Sequence, residues 1–84
     1  MERVIVYTTT PCSFCRGAKG LLSSRGIAFS EVDLARDPSG RAELAQRTGM
    51  MTFPQVIIDD QPLGGFSELA SADRDGRLQE LLAA

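Results

Sequence analysis

The chain has 84 residues, of which 43% are hydrophobic and 24% are charged, and its formal net charge at pH 7 is −2. This length and composition suit one small globular domain, and the slightly acidic charge argues against a nucleic-acid-binding or anionic-membrane surface. Histidine is absent, which excludes a Cys–His catalytic pair and requires any nucleophile to be activated by other surroundings.

The N-terminal third of the chain predicts a βαβ unit. The apolar, β-branched run from Arg3 to Tyr7 predicts a central strand covered on both faces. We expect a helix over Ser13 to Ser24, with Pro11 at its entry and Gly26 as its stop. Ile27 to Leu34 alternates apolar and polar residues, which predicts a second strand with one better-covered face. The crossover is long enough for parallel pairing with a right-handed connection.

Both cysteines of the chain, Cys12 and Cys15, lie where the first strand gives way to the first helix. A cysteine in the first turn of a helix faces unpaired N–H groups and the positive end of the helix dipole, which favour thiolate over thiol. Cys12 is therefore the candidate nucleophile. Cys15 falls on the same helical face, near enough to attack a mixed disulfide on Cys12, and is the candidate resolving thiol.

Phe14 lies between the two cysteines and has two interpretations. It shares helical spacing with three apolar residues of the same helix, Ala18, Leu21 and Leu22, which favours a place in the core. An aromatic ring beside a nucleophile also suits the wall of a substrate groove. The sequence pattern leaves both interpretations open.

The middle of the chain predicts a second helix. Asp37-Pro38 is a typical N-cap and first-position pair, and the helix is expected to end near Thr48, before Gly49. Its expected inward residues are Leu44 and Ala45. The charged residues of this helix, Arg41, Glu43 and Arg47, are expected to form a solvated face.

A β-hairpin is predicted after that helix. Val56 to Ile58 and Gln61 to Leu63 flank a two-residue Asp59-Asp60 turn, and aspartate tolerates the left-handed backbone that tight hairpin turns need. Pro62 places the second strand at a sheet edge. Pro54, just before the first hairpin strand, is a candidate for a cis peptide bond.

The C-terminal part predicts two further helices. Gly64-Gly65 leads into a short helix that Ser67 is expected to cap, with Glu68 in its first turn. A plain strand-to-helix turn and an anion site made of exposed N–H groups both fit this segment. A last helix is expected around Asp75 to Leu82, with three packing residues, Leu78, Leu81 and Leu82.

The compartment can also be argued from the sequence. An apolar run of about 18 residues and a basic-then-apolar N-terminal segment are both lacking, so we expect a soluble, cytoplasmic protein. In a reducing compartment, a C-x-x-C pair favours redox activity or metal binding over a permanent disulfide. Such a short loop also constrains the unfolded chain very little, so a purely structural disulfide explains the pair poorly.

The order of these features resembles the glutaredoxin family over nearly the whole chain. The resemblance rests on five pieces in family order and at family spacing: Tyr7-Thr8, Cys12-Ser13-Phe14-Cys15, Ala18-Lys19, Thr52-Phe53-Pro54 and Gly64-Gly65-Phe66-Ser67-Glu68. It implies an α/β, thioredoxin-like fold in which helices flank a four-stranded mixed sheet, with the whole chain, residues 1–84, as one glutaredoxin domain. It also implies a cis Pro54 that faces the sulfur of Cys12.

The resemblance further implies glutathione as cosubstrate and reductant. The cysteinyl part of glutathione would pair with the Phe53 backbone, and the γ-glutamyl carboxylate would meet N–H groups near Phe66 and Ser67. Glu68 would receive the γ-glutamyl ammonium, and Arg47 or Gln46 the glycine carboxylate. The predicted catalytic residues are Cys12 and Cys15. The predicted glutathione-binding residues are Thr9, Phe14, Arg47, Thr52, Phe53, Pro54, Gly65, Phe66, Ser67 and Glu68.

Two departures from the family pattern concern the nucleophile. Thr9 stands where many members carry a lysine, so the Cys12 thiolate must depend more on the helix N-terminus, with Thr8, Thr9 or Arg16 as candidate helpers. The frequent Cys-Pro-Tyr-Cys sequence is Cys12-Ser13-Phe14-Cys15 here, which restores a backbone N–H at position 13 and removes a tyrosine hydroxyl.

The function implied first is glutathione-dependent reduction of protein–glutathione mixed disulfides and small disulfides by a monomer. A different class is a [2Fe–2S]-binding dimer, in which Cys12 of each chain and two glutathiones supply the four sulfurs that the cluster requires. A third hypothesis is a redoxin reduced by another low-molecular-weight thiol or by a thioredoxin reductase. A structural zinc site fits poorly, because it needs four ligands and the chain offers two cysteines.

Overall fold

A computed structural model of the protein describes residues 3–83. Strands and helices follow one another in the order β1 (Val4–Thr8), α1 (Ser13–Ser24), β2 (Ser30–Asp33), α2 (Pro38–Thr48), β3 (Gln55–Ile58), β4 (Gln61–Gly64), α3 (Phe66–Asp75) and α4 (Arg77–Ala83). None of the helices within this described range is long and apolar enough to span a bilayer.

The four strands form one mixed sheet in the order β2–β1–β3–β4. β1 pairs in parallel with β2 and antiparallel with β3, and β3 pairs antiparallel with β4. The expected α/β architecture and the central position of the first strand are therefore confirmed. The carboxyl end of β1 leads directly into the segment that carries both cysteines.

Alternating residues of the central strands point to two different hydrophobic clusters, as the pleat of a strand requires. On one face, β1 and β3 pack against α1, α3 and α4 through buried residues that include Val6, Val56, Ala18, Leu69 and Leu78. On the other face, Ile57 packs with Leu34 and with Leu44 of α2. The sheet is thus covered on both sides, by α1, α3 and α4 on one face and by α2 on the other.

Local capping signals set the bounds of the first two helices. The extent of α1 is as predicted, and Gly26 follows its end with a φ of 69°. In α2, the Asp37 side chain accepts a hydrogen bond from the Gly40 N–H at 2.9 Å, with Pro38 at the start of the helix. Gly49 ends α2 with a φ of 74°, a left-handed conformation that glycine adopts at little cost.

The hairpin also forms as predicted. Asp59 and Asp60 have φ values of 50° and 67°, the two left-handed residues that a tight hairpin turn needs. β4, which contains Pro62, is the edge strand. The Arg3 guanidinium donates hydrogen bonds to the Asp59 carboxylate and to the backbone oxygens of Leu81 and Leu82. These bonds bring the two ends of the described chain together.

The second strand is shorter than the sequence suggested. β2 spans Ser30–Asp33 rather than Ile27 to Leu34, and three of its four residues are exposed, so the expected better-covered face is lacking. Ile27 and Phe29 pack against the core cluster without belonging to the strand, which explains the apolar alternation that extended the prediction. β2 is an edge strand, and its outer half has no sheet neighbour to bury it.

The C-terminal helices differ from expectation in three ways. Gly65, not Ser67, is the N-cap of α3, which continues to Asp75. The last helix begins at Arg77, and Leu81 is 46% exposed rather than packed. Serine has the stronger N-cap preference, but Glu68 accepts a hydrogen bond from the Gly65 N–H and thereby places the cap two residues earlier.

Arg41 was expected on a solvated face and is instead partly buried. Its guanidinium donates to the backbone oxygens of Leu34 and Ala35. Carbonyl groups at the end of a loop need donors when water is excluded. Arg41 therefore secures the connection between β2 and α2, whereas Glu43 and Arg47 of the same helix are exposed.

Candidate active site

Cys12 is the N-cap residue of α1. Its backbone is extended, with φ −159° and ψ 103°, and its Sγ accepts a hydrogen bond from the backbone N–H of Cys15 at 3.1 Å. The first N–H groups of a helix have no intrahelical acceptor, so a sulfur at this position satisfies one of them. A hydrogen bond to the charged form and the helix dipole both favour the thiolate. Cys12 therefore lies at the start of α1, as the sequence predicted, and its role as the nucleophile stays a prediction.

The two cysteines differ in accessibility and are joined as a disulfide with a Cα–Cα distance of 5.2 Å. Cys12 is partly exposed, whereas Cys15 is 2% exposed. An external disulfide or thiol can therefore approach Cys12 but not Cys15. This asymmetry suits a pair in which one sulfur reacts with substrate and the other acts only on the first.

A second segment of the site precedes β3. The Phe53–Pro54 peptide bond is cis, as the resemblance implied, and Pro54 is buried while Thr52 is exposed. The Thr10–Pro11 bond is also cis, which the sequence did not suggest. The buried Gln55 side chain donates from Nε2 to the backbone oxygens of Met50 and Thr52 at 3.0 Å each. Gln55 thus holds the loop that carries Thr52, a role that sequence reasoning missed because glutamine in a strand carries no distinctive signal.

A third segment is the start of α3. The Gly65 N–H donates to Oε1 of Glu68 at 2.7 Å, and the Leu69 N–H donates to the Gly65 oxygen at 3.0 Å. Phe66 and Ser67 occupy the first two helical positions, where an α-helix has no intrahelical acceptor for its N–H groups. This end of α3 is therefore an electropositive surface of backbone donors.

The structure brings eight of the ten predicted glutathione-binding residues together around one open cavity of about 180 Å³. They come from three parts of the chain that are remote in sequence. The residues that line the cavity are Phe14, Thr52, Phe53, Pro54, Gly65, Phe66, Ser67 and Glu68. Backbone donors, hydroxyls and one carboxylate on this surface suit a small, charged peptide.

The other two predicted residues lie outside this cavity. Arg47 lines a separate cavity of about 150 Å³ with Tyr7 and Glu43. Thr9 is partly buried in the segment between β1 and α1. A larger groove of about 640 Å³ runs between the β3–β4 hairpin and α4, and it contains none of the predicted site residues.

Carboxylates of β2 hold the segment before Cys12. The Thr8 hydroxyl donates to Oε2 of Glu31 at 2.9 Å, and Glu31 is also paired with Lys19 at 3.0 Å. The Thr10 hydroxyl donates to Asp33 at 3.0 Å. The Ala35 N–H and then Thr10 stabilise the charged form of Asp33 and hold the pKa of its carboxyl below the usual value. Because the Thr8 hydroxyl donates its one proton to Glu31, Thr9 and Arg16 remain as candidate donors to Cys12.

The aromatic ring of Phe14 borders the 180 Å³ cavity and does not lie in the core. It is 64% exposed, and its centroid lies 6.0 Å from that of Phe66, with an interplanar angle of 34°. Of the two interpretations that the sequence left open for Phe14, the packed core position is therefore wrong. The ring borders the cavity described above.

A metal centre does not fit the residues of one chain. Residues 3–83 contain no group of three or more Cys, His, Asp or Glu side chains placed to bind a metal ion. A [2Fe–2S] cluster held by thiolates requires four sulfurs, and this chain has two cysteines. A cluster would therefore need a second chain and external thiols.

Comparisons with known proteins agree on one family. The family model described as Glutaredoxin matches residues 4–63. Glutaredoxin 3 of Escherichia coli strain K12 is 40% identical over 82 residues, which cover 98% of this chain and 99% of that protein. Glutaredoxin of Pseudomonas aeruginosa is 40% identical over 84 residues and both full lengths.

Solved structures are similar over nearly the whole chain. A buckwheat glutaredoxin–glutathione complex has a TM-score of 0.89 at 29% identity, covering 98% of this chain and 77% of that one. The solution structure of glutaredoxin from Brucella melitensis has a TM-score of 0.84 at 40% identity, covering 98% and 89%. These similarities confirm the thioredoxin-like fold class expected from the sequence.

Proposed function

The chain belongs to the glutaredoxin family of thiol–disulfide oxidoreductases, and we propose that it uses glutathione to reduce protein–glutathione mixed disulfides and small disulfides. One observation carries this proposal. The accessible Cys12 caps α1, while eight residues that the family pattern assigns to glutathione line one cavity.

The proposed chemistry begins with the Cys12 thiolate. It attacks the glutathionyl sulfur of a mixed disulfide, so that a new S–S bond forms to Cys12 and the target leaves as a thiolate. A second glutathione thiolate then attacks this bond, which releases glutathione disulfide and restores the Cys12 thiolate. In the alternative route, Cys15 displaces glutathione and closes the Cys12–Cys15 disulfide, which two glutathione molecules reduce.

Three parts of the cavity would hold the glutathionyl group. The backbone of Phe53, beside Pro54, is proposed to pair with the cysteinyl residue. The N–H groups of Phe66 and Ser67 are proposed to bind the γ-glutamyl carboxylate, because a helix N-terminus favours an anion. Glu68 has one carboxylate oxygen on the Gly65 N–H, and its charge is proposed to attract the γ-glutamyl ammonium.

Arg47 and Thr9 do not line this cavity. Arg47 lines a separate cavity, so contact with the glycine carboxylate requires glutathione to extend toward Tyr7. Thr9 is proposed to contact glutathione from the segment before Cys12. We further propose that residues 1–84 act as one monomeric glutaredoxin domain in the reducing cytoplasm, where a redox-active C-x-x-C pair is most useful.

Reduction of hydroxyethyl disulfide tests the proposed function directly. Wild-type protein should turn over with glutathione and glutathione reductase, and replacing glutathione by thioredoxin reductase should support much less activity. Cys12→Ser should lose this turnover because serine is not a nucleophile for disulfides at neutral pH. Retained turnover in that variant, or equal turnover without glutathione, would contradict the assignment.

A further inference from the structure

Gln55 is a polar side chain at the buried start of β3, where it is 1% exposed. Its amide nitrogen donates hydrogen bonds to the backbone oxygens of Met50 and Thr52, at 3.0 Å each. Since both partners are acceptors, the amide nitrogen must face them and the amide oxygen must face away. Gln55 Oε1 is accordingly buried, and it has no hydrogen-bond partner among residues 3–83.

This unpaired oxygen is unfavourable for the fold, because a buried acceptor without a donor loses its hydration and gains no bond. An unbranched apolar side chain of similar length, such as methionine, fills a buried site without that loss. Packing alone therefore gives no reason for glutamine at position 55. The two donated hydrogen bonds are what glutamine supplies and methionine does not.

The hydrogen bonds from Gln55 act on the loop between α2 and β3. In this loop the Met50 N–H donates to Oγ1 of Thr48 at 3.2 Å. The side chains of Met51 and Thr52 are exposed, at 84% for Met51, so they do not anchor the loop in a core. The two carbonyl groups that Gln55 binds lie on either side of Met51. Gln55 thus fixes the backbone at the place where the side chains of the loop do not.

One of these bonds also sets the direction of the next N–H group. The C=O of Thr52 and the N–H of Phe53 belong to one planar peptide unit, and in a trans unit they point in opposite directions. The Thr52–Phe53 bond is trans, since the cis bonds of the described residues are those that precede Pro11 and Pro54. With the Thr52 oxygen held by Gln55, the Phe53 N–H points away from the buried amide. It has no backbone acceptor within residues 3–83.

We propose that Gln55 is the positioning residue for the cysteinyl part of glutathione. It holds the Thr52 carbonyl inward, so that the Phe53 N–H is directed at the cavity that Thr52, Phe53 and Pro54 line. The Phe53 backbone is then oriented before the ligand arrives, and less ordering is required on binding. The inference rests on the proposed function for its ligand, and Gln55 itself does not line that cavity.

Titration with S-methylglutathione, followed by the NMR signals of the backbone amides, tests Gln55 without turnover, because a thioether cannot undergo thiol–disulfide exchange. Gln55→Met should raise the dissociation constant about fivefold, the factor that one hydrogen bond contributes. Gln61→Met is the matched control, because Gln61 is exposed on β4 and lies outside the glutathione cavity. It should leave the constant unchanged. An unchanged constant in Gln55→Met would overturn the proposal.

A second control separates positioning from stability. Val56→Ala leaves a cavity in the core next to Gln55 and should lower the urea midpoint of unfolding, yet it keeps both donated bonds and should keep the dissociation constant. Gln55→Met should lower the midpoint less, because removal of the unpaired oxygen offsets part of the loss of the hydrogen bonds. Equal weakening of binding in the two variants would mean that Gln55 acts only through the stability of the fold, and the positioning role would be wrong.

The orientation of the Thr52–Phe53 peptide can be measured without any ligand. The residual dipolar coupling of the Phe53 N–H reports the direction of that bond, so Gln55→Met should change it and Gln61→Met should not. The same coupling in wild type and both variants would contradict the action of Gln55 through Phe53. Failure of wild-type protein in the hydroxyethyl disulfide assay contradicts the proposed function alone, since this coupling requires neither glutathione nor turnover.

Discussion

Cys12 Sγ accepts a hydrogen bond from the backbone N–H of Cys15, so the residue that supplies the second thiol also stabilises the first sulfur through its main chain. These two contributions of Cys15 are separable. The thiol is lost when the side chain is changed, whereas the backbone donor remains in any residue other than proline.

Cys15→Ser should therefore retain the Cys12 thiolate and reduction of glutathionylated peptides, within about threefold of wild type. It should lose reduction of those protein disulfides that require a dithiol. The pKa of the Cys12 thiol, followed by thiolate absorbance against pH, should stay close to that of a Cys15→Ala variant. Loss of deglutathionylation in both variants would show that the second thiol is needed in every cycle.

Glu68→Gln separates helix capping from charge. The glutamine oxygen can still accept the Gly65 N–H, so α3 should keep its start and its stability. The attraction for the γ-glutamyl ammonium is lost, and an exposed ion pair of this kind contributes about twofold to fivefold in affinity. We expect KM for glutathione to rise by that amount with kcat unchanged. Glu80→Gln on α4 is the matched control and should change neither constant.

Thr9→Lys should restore a cation near the nucleophile. An ammonium group beside the sulfur favours the charged form, so the pKa of the Cys12 thiol should fall and turnover at pH 6 should rise. Ser24→Lys adds the same charge at the far end of α1, about 18 Å away along the helix axis. Because that distance exceeds the screening length at physiological salt, the control should leave the thiol pKa unchanged.

Capping and turn residues allowed much of the fold to be predicted from the sequence. The effects of capping and turn residues reach only a few positions along the chain. The helix between Asp37-Pro38 and Gly49 and the hairpin turn at Asp59-Asp60 therefore form as expected. The start of α3 was misplaced because the reciprocal bond from Gly65 to Glu68 outweighs the N-cap preference of Ser67.

Long-range packing accounts for the contacts in the fold and the site that the sequence did not predict. Gly17 carries no local signal, and the close approach of the Phe66 ring to it appears only when α3 packs against α1. The helical pattern of α2 predicted that Arg41 would be exposed to solvent. The β2–α2 loop instead places the carbonyl groups of Leu34 and Ala35 beside its guanidinium. The assembly of one cavity from three segments followed from the family resemblance, not from periodicity or spacing.

We expect Asp73 on α3 to make the stability of the fold depend on pH in the acidic range. Its carboxylate accepts hydrogen bonds from Arg25 at 2.9 and 3.0 Å and from Gln79 at 2.9 Å. Arg25 and then Gln79 hold the pKa of this carboxyl below its usual value. A lowered carboxyl pKa stabilises the fold above the unfolded value, about pH 4, and this stability is lost as the pH falls through the lower, folded value.

Asp73→Asn should therefore lower the urea midpoint of unfolding by a constant amount from pH 8 to pH 5. The difference from wild type should shrink below pH 4 as Asp73 itself becomes protonated. Asp75→Asn is the control, because its pair with Arg77 is half exposed and surface pairs contribute little. A difference that persists unchanged at pH 2 would mean that packing, not charge, distinguishes aspartate from asparagine at position 73.

The Arg3 contacts with Leu81 and Leu82 bring both ends of the described chain to one place. β1 starts at the next residue and runs five residues toward the cysteine segment, so this place lies about 17 Å from the reactive end of the sheet. A short linker can join ends so arranged, and circular permutation tolerates such a joint. Arg3 and Leu82 thus lie at the end of the sheet opposite Cys12, and a fluorescent label attached beside either residue should leave the approach to Cys12 open.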